Sequence, residues 1–294
     1  MCETKAMMQL AAVPMTRGLP RGQLTTHLAG VDPSRAERLE RFRLDEDFQR
    51  GLMGCLLLRY MVRRFTPASE GALLLGMGEF GKPYLVEYPE IHFSLSHSGT
   101  WVVCALSSSP VGIDVEEIKS MDLDISARYF TCSEHSDLLS KAPVDRLGHF
   151  FNLWTAKESY VKMTGAGLKY PLNGFAVVWS ESGNAHIVSD DHRGNDVQVA
   201  VSDVLERYKL AVCARLRPEL ETLESIPMER LLGRWPPDSE NYGSKFCNAL
   251  IERIAYYTKP TLHPIQQPHL EKLAAERERE STMRLQTIDA WCSL

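Results

Sequence analysis

Apolar positions change their spacing several times along the chain, and each change marks a new element. From Asp32 and Pro33 onward the pattern is helical: an Asp cap, a proline at the first helical position, then Arg35, Arg38 and Arg41 at helix-pair intervals. A second helix starts near Asp45. Its apolar residues Leu52, Leu56, Leu57, Tyr60 and Met61 recur at three- and four-residue steps, and Gly51 and Gly54 leave room for a close neighbour. Between Leu73 and Glu117 the period falls to two, which predicts short strands at 73–75, 91–95, 101–106 and 111–115 separated by Gly and Pro turns. A helical stretch from about Ser126 to Met163 follows, and strands return at 175–179, 186–189, 197–204 and 208–216.

The order is helix then strands, twice. It predicts an α+β fold of two similar halves, each a helix on a mainly antiparallel sheet, set side by side as an intramolecular pseudo-dimer with a cleft between them. The expected boundaries are 1–120 for the first half and 121–232 for the second. Beyond Gly233 the chain turns to Pro-rich connectors around helical pieces, so 233–294 is expected to be a mainly helical C-terminal extension capping the second half through Leu273, Leu285 and Trp291.

Length and composition narrow the function classes. The 294 residues, 44% of them hydrophobic, suffice to bury a core, and disorder as the main state is excluded. The net charge of −5 lacks the basic excess that non-specific nucleic-acid binding requires. Seven scattered cysteines form neither a disulfide framework nor a metal knuckle. No stretch approaches the length of a membrane span, and the amino terminus lacks the order of a secretion signal, so a soluble cytoplasmic protein is expected.

Four segments carry candidate chemistry. In Val111-Gly112-Ile113-Asp114-Val115-Glu116 the apolar residues share one strand face and Asp114 and Glu116 the other, an arrangement that suits a hard cation such as Mg2+. Taken alone, such a pair is more commonly two solvated acids at a strand end. Trp154, Glu158 and Lys162 recur every fourth residue on one helical stripe, where an intrahelical Glu to Lys pair worth about 0.3–0.5 kcal/mol is the ordinary explanation. Ser94-Leu95-Ser96-His97-Ser98-Gly99 ends a strand in a turn of hydroxyls and one imidazole that suits an anion. Gly81-Lys82-Pro83 sets a cation on a rigid turn near the same sheet.

Together, in this order, these segments resemble the 4'-phosphopantetheinyl transferases of the surfactin-synthetase-activating type, the broad-specificity pseudo-dimeric class. The likeness rests on Gly81-Lys82-Pro83, Ser96-His97-Ser98, Gly112 to Glu116, and Trp154 to Lys162 followed by Gly165 and Leu168. It implies an enzyme that moves the phosphopantetheine arm of coenzyme A onto a carrier-protein serine, with Mg2+, or Mn2+ in its place, as cofactor. It implies Asp114, Glu116 and Glu158 as metal ligands, Glu158 also as acceptor of the serine proton, and Lys162 on the phosphates. It further implies Lys82, Ser96 and His97 on the nucleotide phosphates, Arg35 and Arg38 near the 3'-phosphate, and Lys157 as a further coenzyme contact.

The carrier, an acyl or peptidyl carrier protein of fatty-acid, polyketide or nonribosomal-peptide synthesis, is expected at the helix exit between Gly165 and Leu172, with the enzyme a monomer and neither nucleic acid nor membrane as partner. Where the family often carries a hydroxyl at the start of the second helix, this chain has Gly51, so that contact is not carried over. Two other classes compete with the enzyme: a catalytically silent coenzyme A-binding protein, against which the intact acid set argues, and an interaction protein working through its tail.

Overall fold

A central strand opens the fold, and the hydrophobic spacing had not signalled it. The computed structural model describes residues 7–233, apart from 17, 65, 67–71, 168–169, 181–184, 190–195, 204 and 216–217. Strand β1 (Met8–Pro14) carries the short apolar run 10–13 buried in mid-sheet, and a run covered on both faces shows no alternation to read. After the single turn α1 (Arg21–Leu24), helix α2 (Pro33–Glu40) starts as expected, the Asp32 carboxylate accepting from the backbone N–H groups of Ser34 and Arg35. Helix α3 (Asp45–Arg63) is buried on most sides between Phe48 and Val62. There a Cβ on Gly51 would run into the Leu39 side chain, so this glycine serves the packing of α2 against α3.

The hairpin β2 (Leu75–Met77) and β3 (Pro83–Leu85) leads to β4 (His92–Ser98), β5 (Trp101–Ser107) and β6 (Val111–Glu117). The helical stretch expected as one run is three helices: α4 (Ser126–Tyr129), α5 (Cys132–Ser140) and α6 (Pro143–Thr164). The breaks have local causes. Thr131 and Glu134 form a reciprocal capping box that starts α5 afresh, and Pro143 occupies the first turn of α6. Strands β7 (Phe175–Trp179), β8 (Ala185–Ser189), β9 (Gln198–Ser202), β10 (Tyr208–Ala214) and β11 (Glu224–Ser225) and helix α7 (Met228–Leu232) complete the described chain. The C-terminal extension expected after Gly233 lies outside the described residues.

Mixed helix and sheet is the outcome, and the sheets do not follow the expected boundary at 120. The first sheet has the order β11-β1-β5-β4 and the second β6-β10-β9-β8-β7. Strand β6, assigned to the first half from its position in the chain, pairs antiparallel with β10 from Val111 opposite Ala214 to Glu117 opposite Tyr208. Strand β11 in turn pairs parallel with β1. Each sheet thus takes in a strand from the far side of that boundary.

The two sheets share one core. Leu10, Ala12, Val103 and Ala105 of the first pack against Val111, Ile113, Val115, Leu210 and Val212 of the second. On β6 the apolar residues face this core, which leaves Gly112, Asp114 and Glu116 on the opposite face of the strand. Helix α6 lies against that face so closely that a Cβ on Gly112 would overlap the Ser159 carbonyl and stand 2.5 Å from the Met163 nitrogen.

Because backbone and not a flexible side chain would have to move, Gly112→Ala should cost about 1–3 kcal/mol. A fall in melting temperature of roughly 2–4 °C per kcal/mol is expected, and an unchanged thermal unfolding curve would contradict this packing.

Candidate active site

The free edge of β6 is where the chemistry gathers. Its far edge is bonded to β10, so alternate N–H groups on the near edge need other partners. They find them in side chains of β4: the hydroxyls of Ser94, Ser96 and Ser98 accept from the N–H groups of Ile113 (3.1 Å), Val115 (3.3 Å) and Glu117 (3.0 Å). Two of the three serines donate onward. Ser96 donates to Asp114 Oδ1 at 2.8 Å and Ser98 to Glu116 Oε2 at 3.0 Å.

Helix α6 supplies the rest of the cluster from the other side. Lys162 reaches over to Asp114 Oδ1 and Ser96 Oγ, both at 2.8 Å, and to the Leu95 carbonyl at 3.4 Å. Glu158, one turn back on the same stripe, is half-buried. Trp154 completes the stripe by stacking on Phe150 and meeting Tyr129 edge-on.

The three acids feel one another. Burial pushes the Glu116 carboxyl up to about 7, with the Asp114 and Glu158 charges adding to the rise. Burial likewise lifts Glu158 to about 7, again with help from Asp114. Asp114 is raised by burial, against the opposing pull of Lys162 and Ser96. When all are ionised, three carboxylates face one ammonium, two negative charges in excess.

No ready cage of three acid, His or Cys groups exists among the described residues. Asp114 Oδ1 and Glu116 Oε2 are engaged by Lys162 and the serines. Asp114 Oδ2, in contrast, is buried without any hydrogen-bond partner. An orphaned carboxylate oxygen near two other acids, in a cluster short of positive charge, fits a hard divalent cation that takes oxygen ligands.

Known proteins resemble the chain over most of its described length. Residues 20–109 match a family model described as 4'-phosphopantetheinyl transferase, N-terminal, and residues 110–213 match that of the 4'-phosphopantetheinyl transferase superfamily. A 4'-phosphopantetheinyl transferase of Bacillus subtilis is 37% identical over 226 residues, 76% of this chain and 100% of that protein. The chain belongs to this superfamily. The transferase Sfp of Bacillus subtilis strain 168 is 34% identical over the same share of each chain, and psf-1 of Bacillus pumilus is 38% identical over 66% of this chain and 83% of its own. A solved holo-[acyl-carrier-protein] synthase of Thermotoga maritima overlaps at a TM-score of 0.31 with 23% identity, over 35% of this chain and 61% of that one.

Within this transferase, the residues expected in the site divide into three groups. Asp114, Glu116, Glu158, Lys162 and Ser96 come together. Two of these make protein contacts that the sequence did not signal. Ser96, expected on phosphate, is 3% exposed and spends its hydroxyl on Asp114, Lys162 and the Val115 N–H. Lys162, expected on the same phosphates, directs its ammonium at Asp114, Ser96 and Leu95. A second group lies on neighbouring segments. Lys82 caps the carbonyls of Val111 and Met163, each at 3.1 Å, and burial lowers its ammonium to about 8. His97 is half-buried on β4 between the two serines that touch acids.

The third group is elsewhere. Arg35 and Arg38 ride on α2, which packs on α3 rather than on the acid cluster. Lys157, expected to contact coenzyme A, does not face the site at all. It is fully buried, paired to Glu134 at 2.8 Å and donating to the carbonyls of Leu172 (2.8 Å) and Phe175 (2.6 Å). One helical residue from Glu158 is a rotation of about 100°, enough to turn it from the β6 face into the core under β7. Burial lowers its ammonium, with Glu134 opposing.

Gly112, Ser98 and Glu134 were not singled out as site or core residues in the sequence. The alternation of serine in Ser94-Leu95-Ser96-His97-Ser98 carried a usable signal, since a buried strand face of hydroxyls requires polar partners. At the helix exit, Gly165 takes φ +72° and ends α6, and Tyr170 packs on Tyr160 and Phe175. Leu168 lies outside the described residues.

Removing one member of a buried pair strands the other charge. Lys157→Ala should therefore lower stability by about 3–5 kcal/mol in denaturant unfolding. Unchanged stability would return Lys157 to the surface and to ligand binding.

Proposed function

We propose that this chain is a divalent-metal-dependent transferase that moves the 4'-phosphopantetheine arm of coenzyme A to a serine of acyl or peptidyl carrier proteins. The observation that supports this most directly is that Asp114 and Glu116 of β6 and Glu158 of α6 stand near enough for the Asp114 charge to raise both other carboxyls, while Asp114 Oδ2 has no hydrogen-bond partner, in a member of a transferase superfamily. In the reaction the carrier serine oxygen bonds to the β-phosphorus of coenzyme A. The bond from that phosphorus to the bridging oxygen breaks, and 3',5'-adenosine bisphosphate leaves. The same reading treats the two halves as an intramolecular pseudo-dimer and the enzyme as a monomer.

Asp114, Glu116 and Glu158 would hold Mg2+, for which Mn2+ is the natural substitute. When bound, the cation neutralises charge on the diphosphate oxygens. Glu158 has a carboxyl near 7, close to the optimum for a base working at neutral pH, and would take the serine proton. Lys162 ties α6 to β6 and β4 through Asp114 and Ser96, so it keeps Glu158 in register with the strand acids. Lys82 and His97 are assigned to the coenzyme phosphates by family analogy alone. Arg35 and Arg38, on their separate helix, are assigned to the 3'-phosphate by family analogy alone, and the exit from Gly165 to Leu172 is assigned to the carrier on the same basis.

Mass spectrometry of a purified apo carrier protein incubated with the chain, coenzyme A and Mg2+ tests the activity, and the expected result is a carrier heavier by one phosphopantetheine arm. An unmodified carrier under conditions where a known transferase loads it would reject the reading. Glu158→Gln should lower kcat by about 100- to 10,000-fold in that assay, with little change in melting temperature.

Cation affinity should fall as pH drops through about 7, since Glu116 and Glu158 must lose protons to ligate. A carboxyl raised in the folded state binds more protons there than in the unfolded chain. The metal-free protein should therefore lose stability as pH rises from about 4.5 to about 7, and the stabilisation given by Mg2+ should grow over the same window. Thermal unfolding across pH with and without Mg2+ checks both signs.

A further inference from the structure

We propose that Ser98 is a positioning residue that fixes one oxygen of Glu116 and leaves the other for the cation, an inference that rests on the metal assignment made above. The three serines on the inner face of β4 make the same backbone contact to β6, each accepting from the N–H one residue past the side chain it faces. What differs is that side chain. Ser94 is next to Gly112, which has none, whereas Ser96 meets Asp114 and Ser98 meets Glu116.

A serine hydroxyl has one proton and two lone pairs. Accepting from the Glu117 N–H sets the rotor of Ser98, and its proton is then directed at Glu116 Oε2. The carboxylate is held by that one oxygen, so its Oε1 has a fixed direction. Ser96 performs the same service for Asp114 but is also bound by Lys162, so its removal would disturb two contacts at once. Ser98 is the cleaner probe, and Ser94 is its internal control: the same strand, the same face and the same backbone contact, without a carboxylate.

The test is Mn2+ binding to the purified full chain, without coenzyme A or carrier, measured by the loss of the free-ion electron-paramagnetic-resonance signal. Each variant's melting temperature is followed alongside. Mn2+ accepts the same oxygen ligands as Mg2+. Ser98→Ala should weaken Mn2+ binding by about 10-fold or more. Ser94→Ala should lower the melting temperature at least as much and leave Mn2+ affinity unchanged, and Ser98→Thr, which keeps the hydroxyl, should bind close to the unsubstituted chain.

Equal Mn2+ affinity in Ser98→Ala and the unsubstituted chain would overturn the proposal, as would equal weakening by Ser94→Ala or by Ser98→Thr. Glu116→Ala separates this inference from the reading beneath it. If that variant keeps full Mn2+ affinity, the metal site itself is wrong. If it loses affinity while Ser98→Ala does not, only the positioning role fails.

Discussion

An edge strand buried against another sheet has N–H groups that no backbone partner can reach, and the architecture of this protein follows from how β6 meets that constraint. A buried unpaired amide costs about 1–3 kcal/mol, so leaving three of them would consume a large share of the stability of a domain this size. The three serines of β4 answer them one by one. Their spacing of two also fixes the register between the two sheets, because a slip of one residue would turn every hydroxyl to the α3 side.

The same contacts carry the chemistry. Serines that satisfy the β6 backbone have a proton left over, and Asp114 and Glu116 lie within its reach. Gly112 allows α6 to approach the strand at backbone contact, which brings Lys162 onto Asp114 and Ser96 and Glu158 within reach of the Asp114 charge. Acids crowded at a half-buried seam are costly, as the upward shift of all three carboxyls records. The lone ammonium of Lys162 offsets part of that cost, and the rest is what a divalent ion would relieve. The buried Glu134 and Lys157 pair, one residue away along α6, is a neutral counterpart whose charges balance within the protein.

Local chemistry made much of this readable in advance. Asp32 and Pro33 announced α2, the alternation in Val111 to Glu116 announced a strand with its acids on one face, and the four-residue stripe announced that Glu158 and Lys162 share a side of a helix. Other signals were present but weaker than their context. The Thr131 and Glu134 capping box interrupts a helical pattern that otherwise runs on, and β1, covered on both faces, has no polar side to mark it as a strand. Lys157 was legible as a helical neighbour of Glu158 but not as a core residue, because burial of a lysine depends on a glutamate and two carbonyls remote in the chain.

The amino-acid sequence by itself determined which residues could do the chemistry and on which face of its own element each would stand, since those follow from the periods of strand and helix. Only the tertiary structure decided which faces meet. It paired β6 with β10 and set the hydroxyl of Ser96 against Asp114. It also turned Lys157 into the core and bound Lys162 to the strand acids. Each of these outcomes depends on pairing between segments tens of residues apart, and the energy of such a pairing resides in the partner's position, which no local pattern encodes.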